Sequence, residues 1–231
     1  TTEIYTLSLH DALPIYYRRK SAAIGEAMMK VLWDAPNRRF RDSDRSGFGY
    51  ETFSVHPAAL LLAFDLLPEY HGDFARALID PVAIPAEPYF QRYVLEAMGK
   101  RGLYAEAERT INTLWKKMID TESPTLWEIA LKGPKAKGIS QSLCHAWAAA
   151  PLSYAARTLA GIIPLRPGFA EFSFTPGKGV ADEFKLSQPT PQGCIEVVRK
   201  GRNYTLTVPA RTVAVLADGK RLAAGTHRLT V

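Results

Sequence analysis

Two hydrophobic rhythms run along the chain, and one replaces the other near residue 162. Before that point apolar residues recur at helical spacing. Ile24, Ala27, Met28, Val31 and Leu32 form one stripe of an amphipathic helix. Residues 56–67 are apolar almost all round, which predicts a helix buried on both sides, with Pro57 tolerated in its first turn. A short helix is expected over residues 73–79. Pro88 opens another, whose Tyr89, Phe90, Tyr93, Val94, Ala97 and Met98 share a face and which ends on Lys100-Arg101-Gly102. Leu103, Ala107, Ile111, Leu114, Trp115 and Met118 mark the next, close enough to form an αα-hairpin with it. A last helix is expected from about residue 145 to 159, stopped by Gly161.

After Ile162 the period becomes two. Residues 195–199 and 204–208 alternate on either side of the turn Lys200-Gly201-Arg202-Asn203. Val213 to Leu216 leads to an Asp218-Gly219 turn, and residues 227–231 alternate again. Helices followed by strands, not interleaved with them, predict an α+β protein in segregated domains: helical hairpins, then a small antiparallel β-domain.

Composition narrows the class without naming a function. The 231 residues are 47% apolar and 23% charged, with a formal net charge of +6. This is ordinary globular usage, long enough to bury a core, and it excludes a disordered tail or a low-complexity linker. No run reaches the roughly 18–20 apolar residues of a membrane-spanning helix. The basic residues are scattered, so no nucleic-acid-binding arm is expected. Cys144 and Cys194 supply neither a disulfide framework nor a metal-binding spacing.

The chain begins at Thr1 without Met, on TTEIYTLSLHDALPI. No basic-then-apolar leader is written there. The run closely resembles the translation of a DNA sequencing-library adapter, so residues 1–15 are expected to be non-native and the remainder to be the C-terminal part of a longer protein. The alternative is an edge strand over residues 4–9 followed by a turn at Asp11 to Pro14.

Several motifs fail on inspection. Asp42-Ser43-Asp44-Arg45-Ser46-Gly47 opens like a calcium-binding loop, but Phe53 stands where a bidentate Glu is needed. Asn203-Tyr204-Thr205 is a formal glycosylation acceptor inside a hairpin. Gly47-Phe48-Gly49 has no phosphate-loop continuation, and there is no GxSxG elbow. What remains lies between Pro124 and Pro151. Thr125-Leu126-Trp127-Glu128 sits in a loop, and a second loop over residues 138–144 leads to His145-Ala146-Trp147. Indole faces stack on sugar C–H surfaces, a carboxylate activates water and a histidine binds hydroxyls. On spacing alone, a packing Trp beside a solvated carboxylate is the commoner meaning of such a pair.

At these residues the chain resembles the C-terminal part of the α-L-rhamnosidases of glycoside hydrolase family 78, among the six-hairpin glycosidases. The resemblance begins at Phe40-Arg41-Asp42 and Ser54-Val55-His56 and is closer at Pro88-Tyr89-Phe90 and at residues 102–107. It continues through TLWE (residues 125–128) and SLCHAW (residues 142–147), then Pro164-Leu165-Arg166-Pro167-Gly168-Phe169 and Pro189-Thr190-Pro191-Gln192-Gly193. It implies the C-terminal half of an (α/α)6 toroid over residues 16–161 and a C-terminal antiparallel β-sandwich over 162–231. It also implies an inverting two-carboxylate hydrolysis of terminal α-L-rhamnosyl residues. Glu128 matches the general base, and Trp127, His145 and Trp147 match the lining of the sugar subsite, with His56 and Tyr89 as weaker candidates. The family's general acid lies upstream of the part present here. The partner implied is a rhamnose-containing glycoside or oligosaccharide, with no metal or cofactor. A six-hairpin hydrolase for another sugar, or a non-catalytic glycan-binding scaffold, would share most of these residues. Helices at the cut edge, the stripe of Ile24 to Leu32 among them, are expected to show apolar faces to water.

Overall fold

The change of rhythm near residue 162 is where helices give way to strands. The structure, a computed structural model, describes residues 2–44, 52–130, 141–177 and 181–230, with the backbone alone for residues 2–14. Gly47-Phe48-Gly49 and the first part of the loop over 138–144 lie outside the described residues. The chain divides into two compact units, Thr1–Pro85 and Ala86–Val231. The boundary expected at residue 161/162 falls inside the second of these.

The first unit holds a long helix α1 (Thr2–Leu32), a hairpin of β1 (Trp33–Asp34) and β2 (Arg39–Phe40), and the helices α2 (His56–Ala63) and α3 (His71–Leu78). Residues 4–9 are therefore helical and not an edge strand. The hairpin is too short to leave an alternating signature. Its rings build the centre of this unit: Trp33 meets Phe40 edge-on at 5.1 Å between centroids, and Phe74 of α3 lies beneath both. Arg38, at φ +51° in the hairpin turn, donates two hydrogen bonds from its guanidinium to buried Asp73, at 2.7 and 2.6 Å. These bonds hold the Asp73 carboxyl below its usual range. Asp42, at the start of the rejected calcium-loop pattern, is used structurally: its carboxylate accepts the Ser54 N–H and hydroxyl and the Thr52 hydroxyl.

Two expectations need adjustment in this unit. Helix α2 stops at Ala63 and not at residue 67, because the backbone leaves helical values at Phe64 and turns left-handed at Asp65 (φ +54°), and again at Leu67 (φ +50°) before a 3₁₀ turn on Pro68. It is also open on one side, since Leu60 and Phe64 are exposed while Ala59, Leu61 and Leu62 are buried. The α1 stripe faces solvent at Ile24 and Val31, which are 53% and 49% exposed.

The second unit follows the predicted hairpin more closely. A 3₁₀ turn (Pro88–Phe90) leads into α4 (Gln91–Lys100), Gly102 takes φ +71°, and α5 (Tyr104–Asp120) returns. Ala107, Leu114, Trp115 and Met118 line its buried face. The expected helix over residues 145–159 is one rod built in three hydrogen-bonding modes: a 3₁₀ turn (Ala146–Ala149), α6 (Ala150–Tyr154) and a π turn (Ala155–Leu159). Two four-stranded sheets follow. Strands β5 (Glu183–Thr190), β6 (Gly193–Lys200), β7 (Asn203–Val208) and β10 (Gly225–Thr230) form one, antiparallel throughout in the order β10-β7-β6-β5. Strands β3 (Ile162–Pro164), β4 (Glu171–Phe174), β8 (Val213–Leu216) and β9 (Arg221–Leu222) form the other, in the order β3-β4-β8-β9. The expectation of purely antiparallel sheets is corrected here, because β4 and β8 run parallel, joined by a long crossover through the other sheet. One core joins the inner faces: Ile162, Phe172, Phe174 and Ala214 from the second sheet, and Ile195, Val197, Tyr204 and Leu206 from the first.

The rod meets the strands at a point with no spare volume. Thr175 N–H donates to Gly161 C=O at 3.0 Å, and Gly177 N–H donates to Thr158 C=O at 2.9 Å. A Cβ on Gly161 would lie 2.1 Å from the Thr175 carbonyl carbon, and Gly161 itself sits at φ +67°. Left-handed backbone and steric clash act together, so Gly161→Ala is expected to destabilise this unit by about 3 kcal/mol. Chemical denaturation of the variant beside the unaltered chain measures the difference.

Candidate functional site

The loop after α5 is fixed from within before it presents anything to solvent. Ser123 hydroxyl accepts the Trp127 indole N–H at 2.8 Å, and Trp127 is only 5% exposed. This tryptophan packs into the interior instead of walling an open subsite as expected. Its neighbour Glu128 is half-buried and is tied twice to one residue of the facing loop. Glu128 N–H donates to Ser142 C=O at 2.9 Å, and Ser142 N–H donates to Glu128 Oε2 at 2.9 Å. His145 N–H donates to Leu126 C=O at 2.9 Å, and the Thr125 hydroxyl donates to Leu143 C=O. The TLWE and SLCHAW blocks are thus laced together residue against residue, as short antiparallel neighbours. Among the described residues Glu128 Oε1 receives no donor, while Oε2 is held by the Ser142 N–H.

Three rings stand beside this lacing. His145 meets Tyr89 edge-on at 6.2 Å between centroids and meets Trp147 edge-on at 6.0 Å. Tyr89 is partly open, and Trp147 is 73% exposed despite being the largest of side chains. Trp147 owes its position to the backbone beneath it: buried Trp115 donates its indole N–H to the Ala148 carbonyl at 2.9 Å and pins the 3₁₀ turn. The His145 Nε2 is shielded from solvent and has no hydrogen-bond partner among the described residues. A buried imidazole nitrogen without a partner costs about 1–3 kcal/mol, which a ligand hydroxyl would recover.

Of the residues singled out from sequence, Glu128, Trp127, His145, Trp147 and Tyr89 all belong to the unit Ala86–Val231, whereas His56 belongs to Thr1–Pro85. Two supporting residues carried no readable signal. Ser142 acts through its backbone N–H, which no side-chain pattern reveals. Glu87 accepts the Ala130 N–H on Oε2 at 2.8 Å and so anchors the far end of the Glu128 loop. Before Pro88 it reads only as a turn residue. Among the described residues no group of three or more His, Cys, Asp or Glu side chains is disposed to hold a metal ion, and no helix is long and apolar enough to cross a membrane.

No protein-family profile and no curated protein sequence matches the chain. Solved structures do. An α-L-rhamnosidase from Dictyoglumus thermophilum matches at a TM-score of 0.73 and 18% identity, over 98% of this chain and 30% of that one. The Streptomyces avermitilis α-L-rhamnosidase, solved in complex with L-rhamnose, matches at 0.70 and 17%, over 94% and 24%. The Aspergillus terreus α-L-rhamnosidase matches at 0.70 and 19%, over 94% and 27%. The chain therefore shares the fold of one part of these enzymes and spans less than a third of their length.

His56 separates from the ring cluster in its chemistry as well. It starts α2, and burial holds its imidazole below the ordinary value of 6.5, against the weaker opposite pull of Asp42. Folding thus favours the neutral ring. Its stabilising contribution is complete above pH 6.5 and is lost as the pH falls through the lower folded value. The Asp73 contribution has a different window, being present above its ordinary 3.8 and lost below it. Between pH of about 7 and 5 the melting temperature is expected to fall on acidification, and His56→Gln should flatten that segment of the curve. Thermal melts at several pH values test this.

Proposed function

We propose that this chain is the C-terminal part of an inverting glycoside hydrolase that removes terminal α-L-rhamnosyl residues, with Glu128 as its general base. The carrying observation is the disposition of Glu128: one oxygen committed to Ser142 N–H, the other without a donor among the described residues, beside the row Tyr89–His145–Trp147. The shared fold with three α-L-rhamnosidases supports the reading, as do the TLWE and SLCHAW blocks in the sequence. In this reading residues 16–161 are the second half of an (α/α)6 toroid, residues 162–231 are a β-sandwich, and residues 1–15 are foreign to the natural protein.

The chemistry follows from the carboxylate. In an inverting hydrolysis a base removes a proton from water on one face of the sugar while an acid protonates the leaving oxygen on the other, the two carboxyl groups being about 6.5–9.5 Å apart. The bound oxygen fixes the direction of the Glu128 carboxylate, and the other oxygen takes the water proton. Trp147 offers an exposed indole face to the C–H surface of a sugar, and His145 Nε2, which has no partner among the described residues, can bind one of its hydroxyls. The acid belongs to the part of the enzyme outside this chain. The 231-residue chain alone is accordingly expected to show no measurable hydrolysis, because a base without its acid loses most of the transition-state stabilisation.

In the longer protein, Glu128→Gln is expected to lower kcat on an aryl α-L-rhamnoside by about a thousandfold. The melting temperature should be unchanged, because the Gln carbonyl can still accept the Ser142 N–H. Turnover near that of the unaltered enzyme would remove Glu128 from the mechanism. Preference for a different aryl glycoside would keep the mechanism and change the sugar. Saturable sugar binding without any turnover would favour the glycan-binding scaffold.

A further inference from the structure

Beyond Glu128 the loop is held by charged side chains as well as by the facing loop. Ala130 is fully buried, and both of its backbone groups meet ionic side chains from elsewhere in the same unit. Its N–H donates to Glu87 Oε2 at 2.8 Å, and its C=O accepts from the Lys117 ammonium at 3.2 Å. The signs are the favourable ones, a carboxylate at the donor and an ammonium at the acceptor. Hydrogen bonds to ionised groups are about twice as strong as neutral ones. Lys117 belongs to the last turn of α5, and Glu87 is the residue immediately before the 3₁₀ turn that carries Tyr89.

Glu87 itself stands on a fixed base. The Ala86 carbonyl just before it accepts the Gln91 side-chain amide at 2.6 Å, and Gln91 is only 2% exposed. Phe90 N–H donates to the Glu87 carbonyl at 3.0 Å, and Pro88 restricts the backbone between them. One residue therefore has its main chain in the turn bearing Tyr89 and its carboxylate on the loop bearing Glu128. The Ser142 lacing holds Glu128 from one side, and the charged pair holds the same strand of chain two residues further on.

We propose that Glu87 and Lys117 are positioning residues for the Glu128 carboxylate, fixing its place relative to the Tyr89 end of the ring row through the backbone of Ala130. The inference rests on the reading of Glu128 as the general base. The pair places the base and moves no proton itself. A misplacement of reacting groups by about 1 Å costs on the order of a hundredfold in rate. A loop released at Ala130 has room for part of such a shift, while Tyr89, His145 and Trp147 keep their own backbone supports. The expected mark of losing the pair is thus a fall in kcat with little change in KM.

Two measurements test the proposal. In the 231-residue chain, amide hydrogen exchange at Ala130 is expected to quicken by about tenfold or more in Glu87→Ala, the loss of one charge-assisted bond. Glu87→Gln should stay near the unaltered rate, because its carbonyl still accepts the N–H. In the longer enzyme, on an aryl α-L-rhamnoside, Glu87→Ala should lower kcat by about thirtyfold with KM within about twofold, and Glu87→Gln should restore most of the loss. Lys117→Met, at an exposed position, should lower kcat by about fivefold. Lys116→Met, which removes the neighbouring ammonium paired with Asp120, should leave it unchanged. Unaltered kcat in both Glu87→Ala and Lys117→Met, in an enzyme that Glu128→Gln disables, overturns the proposal and leaves the base standing. A loss that Glu87→Gln does not restore overturns it too, since the charge and not the bond to Ala130 is then the operative feature. Where Glu87→Ala does not fold, Lys117→Met against Lys116→Met decides by the same comparison. Full turnover in Glu128→Gln removes the base and the positioning role with it.

Discussion

The close approach of the helical rod to the strands at Gly161 constrains everything on either side of it in this unit. Two backbone hydrogen bonds, Thr175 to Gly161 and Gly177 to Thr158, bring the main chains so near that neither glycine has room for a Cβ: it would lie 2.1 Å from Thr175 at Gly161 and 2.6 Å from the Thr158 carbonyl at Gly177. Both ends of the rod inherit their placement from this contact. Its start carries His145 and Trp147, and its end carries Arg157 and Thr158. A rod of pure α-helix would point those last two side chains elsewhere, because the π turn changes the rotation per residue over one cycle. The three hydrogen-bonding modes within fifteen residues thus set the directions in which side chains leave the two ends of one short element.

The ring cluster shows a second constraint, the need to give a carboxylate a fixed direction. A carboxylate free in solvent has none. Glu128 acquires one from the Ser142 N–H, the donor it meets among the described residues. Backbone donors are suited to this task, since the Ser142 N–H is itself fixed by the lacing of the two loops. The environment on the other side is aromatic and partly dry, with Tyr89, His145 and Trp147 edge-on to one another.

Much of the framework was legible in the sequence. The switch of period at residue 162, the α4–α5 hairpin with its Gly102 break, and the β6–β7 hairpin all follow from local pattern, and local pattern is what periodicity records. The parallel pairing of β4 with β8 did not follow, because 38 residues and three strands of another sheet separate strands of only four residues each. The π turn was hidden for another reason: Ala155–Leu159 contains no residue that distinguishes π from α bonding. At the site, the sequence pointed to Glu128, His145 and Trp147 through resemblance more than through spacing. Trp127 was misplaced since an indole beside a carboxylate can face either inward or outward, and only the Ser123 hydroxyl waiting for its N–H decides the matter.

The exposure of Trp147 has an optical meaning. Trp115 and Trp127 are both nearly sealed from solvent, at 6% and 5% exposed, while Trp147 stands 73% in water. With Trp33 half-buried, the molecule's ultraviolet emission is therefore a sum over four indoles of which Trp147 is the most hydrated, and a collisional quencher reaches it first. Since that indole lies against His145 beside the Glu128 loop, its colour and quenching report on whatever occupies the ring row, with no label attached.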